Sequence, residues 1–140
     1  MKVIHHGSEK GELPDEWLAE TDMLSFSPKS EAYRVDARGH EGKVFSVPIV
    51  EVSPVIRSPG VPIFKDDPET GRPARERVVS ILRGFRADAE IAPVQVRCME
   101  PGSEHKYELK AGAHRFYCSL AVGFAAVPAV EGFDWSTLDK

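Results

Sequence analysis

The sequence predicts an α+β protein, a single domain built as a mixed sheet flanked by helices. Three observations carry this. Strand-like alternation and helical spacing interleave along the chain. Its 140 residues suit one domain with one core. No internal repeat, low-complexity tract or heptad interrupts the pattern. A hydrophobic fraction of 41% and a charged fraction of 29% are those of a folded globular chain.

The elements follow in order. "MKVIHH" reads as a short strand, and "LPDEWLAETDML" as a short helix with Pro14 and Asp15 near its start and Trp17, Leu18 and Met23 on its apolar side. "EAYRVDA" and "KVFSVPIVEV" alternate polar and apolar residues around "RGHEG", which predicts a hairpin. Pro48 marks its second strand as an edge or irregular one. Residues 53–73, rich in proline and glycine, predict an irregular loop. In "ARERVVSILRGFRADAE", Val78, Val79, Ile81, Leu82 and Phe85 recur at helical spacing, with Arg75, Glu76, Arg77, Arg83 and Arg86 supplying the polar face. "IAPVQVRCME", "PGSEH" and "KYELKA" read as strand, turn and antiparallel return. A helix over 114–122, a stop at Gly123 and a last strand "AVPAVEG" follow. Residues 1–44 form an N-terminal elaboration and 45–140 the domain proper.

Composition narrows the function. A net charge of -4 and a pI near 5.7 give no overall electrostatic drive toward duplex DNA. No apolar run approaches the roughly 20 residues of a membrane span, and "MKVIHHGSEK" lacks a signal's apolar region, so a cytoplasmic chain without membrane contact is expected. Cys98 and Cys118 have neither CxxC nor zinc-ligand spacing and are expected as reduced, partly buried thiols. His5, His6, His40 and His105 show no ligand spacing, and no structural metal is expected. Phe116, Tyr117 and Phe124 surround Leu120 at helical spacing and are expected in the core, not as a base-stacking platform. There is no Walker A loop, GxSxG or HExxH.

The informative stretch is "YELKAGAHRFYCSLAVGFAAVPAV". A strand ending in glycine and turning directly into a helix exposes backbone N–H groups that carry partial positive charge and lack intrahelical partners. His114 and Arg115 add directional cationic donors beside them, an arrangement suited to phosphate or carboxylate. Both are poor choices for the helix itself, whose dipole prefers acidic residues in the first turn, and such local conflicts tend to mark working sites. The bland alternative is that both side chains pack against or solvate the sheet edge.

The order helix, "IAPVQVRC", turn, "KYELKAGAHRFYCSLAVGFAAVPAV" resembles the core shared by the ParB N-terminal domain and sulfiredoxin. There an I-x-P-[IV]-x-V strand precedes a hairpin, a G-x-[HR]-R box opens a helix, and a strand beginning Val-Pro or Ile-Pro follows. The likeness runs from about Val47 to Val130 and is densest from Gly112 through Arg115 and Gly123 to Val127-Pro128. It implies a ParB/sulfiredoxin-like fold that binds a nucleotide or another phosphate-bearing small molecule, with Gly112, Ala113, His114 and Arg115 on the phosphates. It further implies a basic residue and a hydroxyl three positions on from the preceding helix, which "RVVS" offers as Arg77 and Ser80 after a one-residue shift. ATP or CTP with Mg2+ is the implied cofactor.

The departures are informative too. Ala113 stands where sulfiredoxin needs its cysteine nucleophile, which excludes that chemistry at this position. Cys118, one turn along the helix, is either a displaced nucleophile or a buried apolar residue. The sequence ends at Lys140, twelve residues after Pro128, with no E-N-x-Q-R helix and no basic stripe, so sequence-specific DNA binding by this chain alone is not expected. Free-serine kinases of the same fold imply a second use of the turn, Mg-dependent nucleotide hydrolysis or phosphotransfer to a small molecule. Glu51, Asp66, Asp67, Glu69 and Glu76 are the carboxylates expected near the turn. The alternative is a non-catalytic binding or accessory module, partition- or DNA-associated, that kept the fold without chemistry.

Overall fold

The computed structural model describes residues 2–6, 9–36, 38, 44–53, 63–64, 66 and 69–131. Its elements are β1 (Lys2–His6), β2 (Glu9–Leu13), α1 (Asp15–Glu20), β3 (Val44–Pro48), α2 (Ala74–Arg86), β4 (Val94–Cys98), β5 (Tyr107–Ala111), α3 (Ala113–Val122) and β6 (Ala126–Glu131). β1 and β2 form a hairpin, and the other strands form one mixed sheet in the order β3-β6-β4-β5. This is the mixed α+β domain that the interleaved periodicities predict.

β6 lies between β3 and β4, antiparallel to the first and parallel to the second. Ala126 through Val130 are all buried, as a strand covered on both faces requires. Pro128 sits inside it because of register. Ala126 N–H bonds to Glu31 O at 3.1 Å, away from β3, so by the two-residue period the N–H that Pro128 lacks belongs on that same side. There the ladder to β4 begins only at Val94–Ala129, one residue later.

β3 is an edge strand and Pro48 closes it, as the proline predicts. Its predicted hairpin partner is a correction. Residues 31–36 form no strand; Val35 makes one isolated parallel bridge to Ile91, and β3 pairs with β6 instead. Alternation marks a buried face without naming the partner, and β6 offers an apolar one where "EAYRVDA" offers charges. Most of the predicted turn lies outside the described residues. Beyond β3 the chain makes a short 3-10 turn, Ile49–Glu51, and reaches the opposite edge, where Ser53 N–H bonds Tyr107 O at 2.8 Å and Lys106 N–H bonds Glu51 O at 3.0 Å. The sheet thus curls until its two edges meet, with the Phe45 and Tyr107 rings 5.9 Å apart, and part of the β5 edge is covered.

α2 buries Ala74, Val78, Val79, Leu82 and Phe85, the stripe read from spacing, with Ile81 partly buried beside it. α1 lies along it, where Glu20 pairs with Arg75 and, at 3.7 Å, with Arg83, while Asp22 pairs with Arg86 at 3.0 Å. These exposed pairs contribute under about 1 kcal/mol each, so packing holds the contact. Ile4, Leu13, Leu18, Met23 and Tyr33 join the same hydrophobic cluster as α2, α3 and the sheet, so the N-terminal segment shares the single core.

The two long helices run the same way. α2 begins where Ala74 N–H donates to Asp66 Oδ1 at 2.7 Å, and α3 begins where His114 meets Phe64, rings 5.8 Å apart, two residues before Asp66. At the far end Phe85 meets Phe124 edge-on at 5.2 Å, just past the end of α3. One pole therefore collects both helix N-termini and the other both C-termini.

Leu82→Ala should cost about 2–5 kcal/mol in urea unfolding, since Leu82 is fully buried. Val50→Ser, at a site 80% exposed, should stay within about 0.5 kcal/mol of the parent.

Candidate functional site

β5 ends at Ala111, and Gly112 turns the chain into α3 with φ 92°, a left-handed conformation that only glycine adopts without strain. The turn is also crowded. A β-carbon on Gly112 would stand 3.0 Å from Val94 Cγ1 and 3.1 Å from Arg115 Nη2, so the Arg115 guanidinium folds back over the glycine. Glycine thus serves the turn twice, by its backbone freedom and by leaving room for the arginine. α3 stops at Gly123, also left-handed, with Gly123 and Phe124 N–H bonding Leu120 O and Ser119 O.

Arg115 is half-buried and, among the described residues, has no ion pair or side-chain hydrogen bond. Arg34, Arg38, Arg75, Arg83, Arg86 and Arg97 each lie against a carboxylate. The charge of Arg115 reaches the buried Tyr33 phenol, which burial pushes well above the usual tyrosine range and Arg115 pulls partly back. The Tyr33 hydroxyl donates to Ala92 O at 2.6 Å. The cation thus faces a polar group but, among the described residues, no counter-ion.

His114 points inward, 8% exposed and packed on Phe64. Ala113 is partly buried, the first residue of the helix. Arg77 is half-buried on α2, two turns before Gly84, which packs against Ile91. Ser80 lies on the exposed face of α2, and neither it nor Arg77 makes a hydrogen bond or ion pair among the described residues. The structure therefore keeps Gly112, Ala113, His114 and Arg115 together at one turn and has Arg77 half-buried on α2. It leaves Ser80 in solvent.

The carboxylates expected around the turn separate. Asp66 is engaged at the start of α2. Glu51 belongs to the 3-10 turn near Lys106, at the opposite end of β5 from Gly112, a correction that follows from the curl of the sheet. Glu76 is exposed in the first turn of α2, Glu69 is exposed before it, and Asp67 lies outside the described residues. No group of three or more His, Cys, Asp or Glu side chains able to hold a metal occurs among the described residues. His6 is buried with Nε2 2.6 Å from Val52 O and its ring 5.1 Å from Phe116, while His5 is exposed and His40 lies outside the described residues.

Cys118 is fully buried, and burial raises its thiol far above the usual range, so it stays protonated and is a core residue. Phe116, Tyr117 and Phe124 are core as expected. Cys98 corrects the expectation of burial: it is exposed near the end of β4, and a hydrogen bond with the Glu131 carboxylate, more than desolvation, raises its thiol. Tyr33 and Phe64 are the neighbours sequence reasoning missed; they come from segments distant in sequence, and no spacing announces them.

No protein-family model, curated protein or solved structure matches this chain. No helix among the described residues is long and apolar enough to cross a membrane.

Gly112→Ala should cost about 1–2 kcal/mol from the left-handed backbone alone, and more from the clash with Val94, measured by denaturant unfolding. In native protein a thiol reagent should modify Cys98 and spare Cys118 until the chain unfolds. Because the Glu131 carboxylate stabilises the protonated Cys98 thiol, Glu131→Gln should lower the pH at which Cys98 reacts and speed its labelling severalfold near pH 8.

Proposed function

We propose that the Gly112–Arg115 turn binds a phosphate-bearing ligand, a nucleotide, in a domain of the ParB/sulfiredoxin-like kind. One contrast carries the reading: the chain supplies its own carboxylate to the start of α2, and at the start of α3 it places a half-buried guanidinium with no counter-ion among the described residues. A half-buried arginine beside the first N–H groups of a helix is stabilised by an incoming anion through charge-assisted, bidentate hydrogen bonds. The neighbouring N-terminus of α2 and Arg77 add to the same field. The order of α2, β4, β5, α3 and β6, with β6 parallel to β4, supports the fold reading.

In this reading Gly112 lets the phosphate approach the backbone, the Ala113 to Arg115 N–H groups and the Arg115 guanidinium hold it, and Arg77 neutralises its outer charge. His114, fixed against Phe64, orients the turn. ATP or CTP with Mg2+ is the proposed cofactor pair, Mg2+ supplying further charge neutralisation when bound. The catalytic form, hydrolysis or phosphotransfer to a small molecule, needs a carboxylate near the acceptor. Among the described residues Asp66 is engaged elsewhere and Glu51 is remote, which favours a binding or accessory module over turnover.

Titration calorimetry with ATP, CTP, ADP and inorganic phosphate, with and without Mg2+, tests this. Saturable binding is expected, lost in Arg115→Ala, retained in part in Arg115→Lys and weakened about tenfold in Arg77→Ala. Absence of binding to all four ligands overturns it.

A further inference from the structure

The opposite pole of the molecule holds a cleft of about 640 Å³ between the segment around residues 22–34 and the C-terminal end of α2. That volume falls in the range of small-molecule sites, and its lining is unusual for an exposed surface. Phe26, Tyr33, Phe85 and Phe124 form a connected wall, with Tyr33 stacked on Phe85 at 5.5 Å, Phe85 edge-on to Phe124 at 5.2 Å, and Phe26 tilted against Phe124 at 6.1 Å.

The charges around this wall are mostly balanced. Arg86 is paired with Asp22 at 3.0 Å, and Arg34 with Glu90 at 3.4 Å. Asp88 and Lys29 also line the cleft, and neither has an ion pair or side-chain hydrogen bond among the described residues. Their positions differ in kind. Lys29 is a long, exposed side chain free to swing into water. Asp88 is held on a short stem by a residue of φ 54°, anchored by its N–H to Phe85 O at 3.2 Å, directly after the end of α2. Both helices end at this pole, and their C-terminal dipoles add partial negative charge beside the carboxylate. The dipoles and the carboxylate thus select the same ligand charge, while the aromatic wall supplies the apolar contact.

We propose that this cleft is a second binding site, one that takes a small aromatic amine, its ring against Phe85 and Phe124 and its ammonium on Asp88. The site is independent of the phosphate reading, since it uses the other ends of the helices and none of the residues of the turn.

Three probes of one shape and different charge decide it: benzylamine, benzyl alcohol and benzoate, titrated into 15N-labelled full-length protein and followed by amide shifts. Benzylamine is expected to saturate with its largest shifts at residues 22–34, 84–89 and 124. It should bind about fivefold more tightly than benzyl alcohol, and benzoate more weakly still. Asp88→Asn keeps the left-handed turn, because asparagine tolerates that conformation, and should erase the preference for the amine while leaving the alcohol's affinity in place. Ala89→Trp, at an exposed lining position, should block all three probes. Benzoate binding as tightly as benzylamine, a preference that survives Asp88→Asn, or no saturable shift in the cleft at tens of millimolar of any probe each overturns the proposal.

Discussion

The parallel pairing of β4 with β6 is the constraint on which the rest depends. β4 and β5 form an antiparallel pair, so a third strand running parallel to β4, on its other side, starts at the end of the sheet where β5 stops and can be reached only by crossing past β4. α3 is that crossing. It must leave the end of β5 at once, and the left-handed Gly112 is the hinge that allows it; it must stop and drop back into the sheet, which Gly123 does from the other end. The chemistry of the turn and the topology of the sheet are therefore one fact. A side chain at 112 would disturb the crossover, the Val94 contact and the guanidinium of Arg115 together.

What was legible in the sequence follows from this. α2 could be read because its apolar stripe faces one continuous core, and β4, β5 and α3 because Gly and Pro-Gly punctuate them. The pairing of β3 could not, since the period of two reports which face is buried and is silent on which strand lies alongside. β2 escaped notice for another reason. "EKGEL" is mostly polar, and its strand rests on backbone pairing to β1, with Leu13 and the bare Gly11, which Ile63 packs against, joining the core. At the turn, the glycine and the two cations were visible. The burial of His114 and the lack of a counter-ion for Arg115 among the described residues were not, because they depend on Phe64, Tyr33 and the placement of carboxylates such as Asp66 and Glu51, all set by tertiary contacts.

The common direction of α2 and α3 divides the molecule into poles of opposite field. Helices packed with their N-termini together repel slightly through their dipoles, an arrangement the sheet connections impose and the burial of Val78, Leu82, Phe85, Phe116 and Tyr117 offsets. The chain relieves the repulsion unevenly. At the start of α2 it provides Asp66, and at the start of α3 a further cation, so among the described residues the positive pole is left under-compensated.

Tyr33 joins the two poles. Its ring is part of the aromatic wall of the cleft, stacked on Phe85, and its hydroxyl sits within the field of Arg115 while holding Ala92 O. Ala92 and Pro93 lead directly into Val94, the residue that Gly112 touches. An anion that neutralises Arg115 changes the potential at the Tyr33 hydroxyl, and a ligand that displaces the Tyr33 ring moves the chain that supports the glycine turn. Rigid packing along this path, in which Tyr33 is 5% exposed and Val94 fully buried, leaves little room to absorb either change locally. Tyr33 is therefore one physical link between the proposed anion site and the proposed cleft site, with a sign set by whether a seated ring presses it toward Arg115 or draws it away.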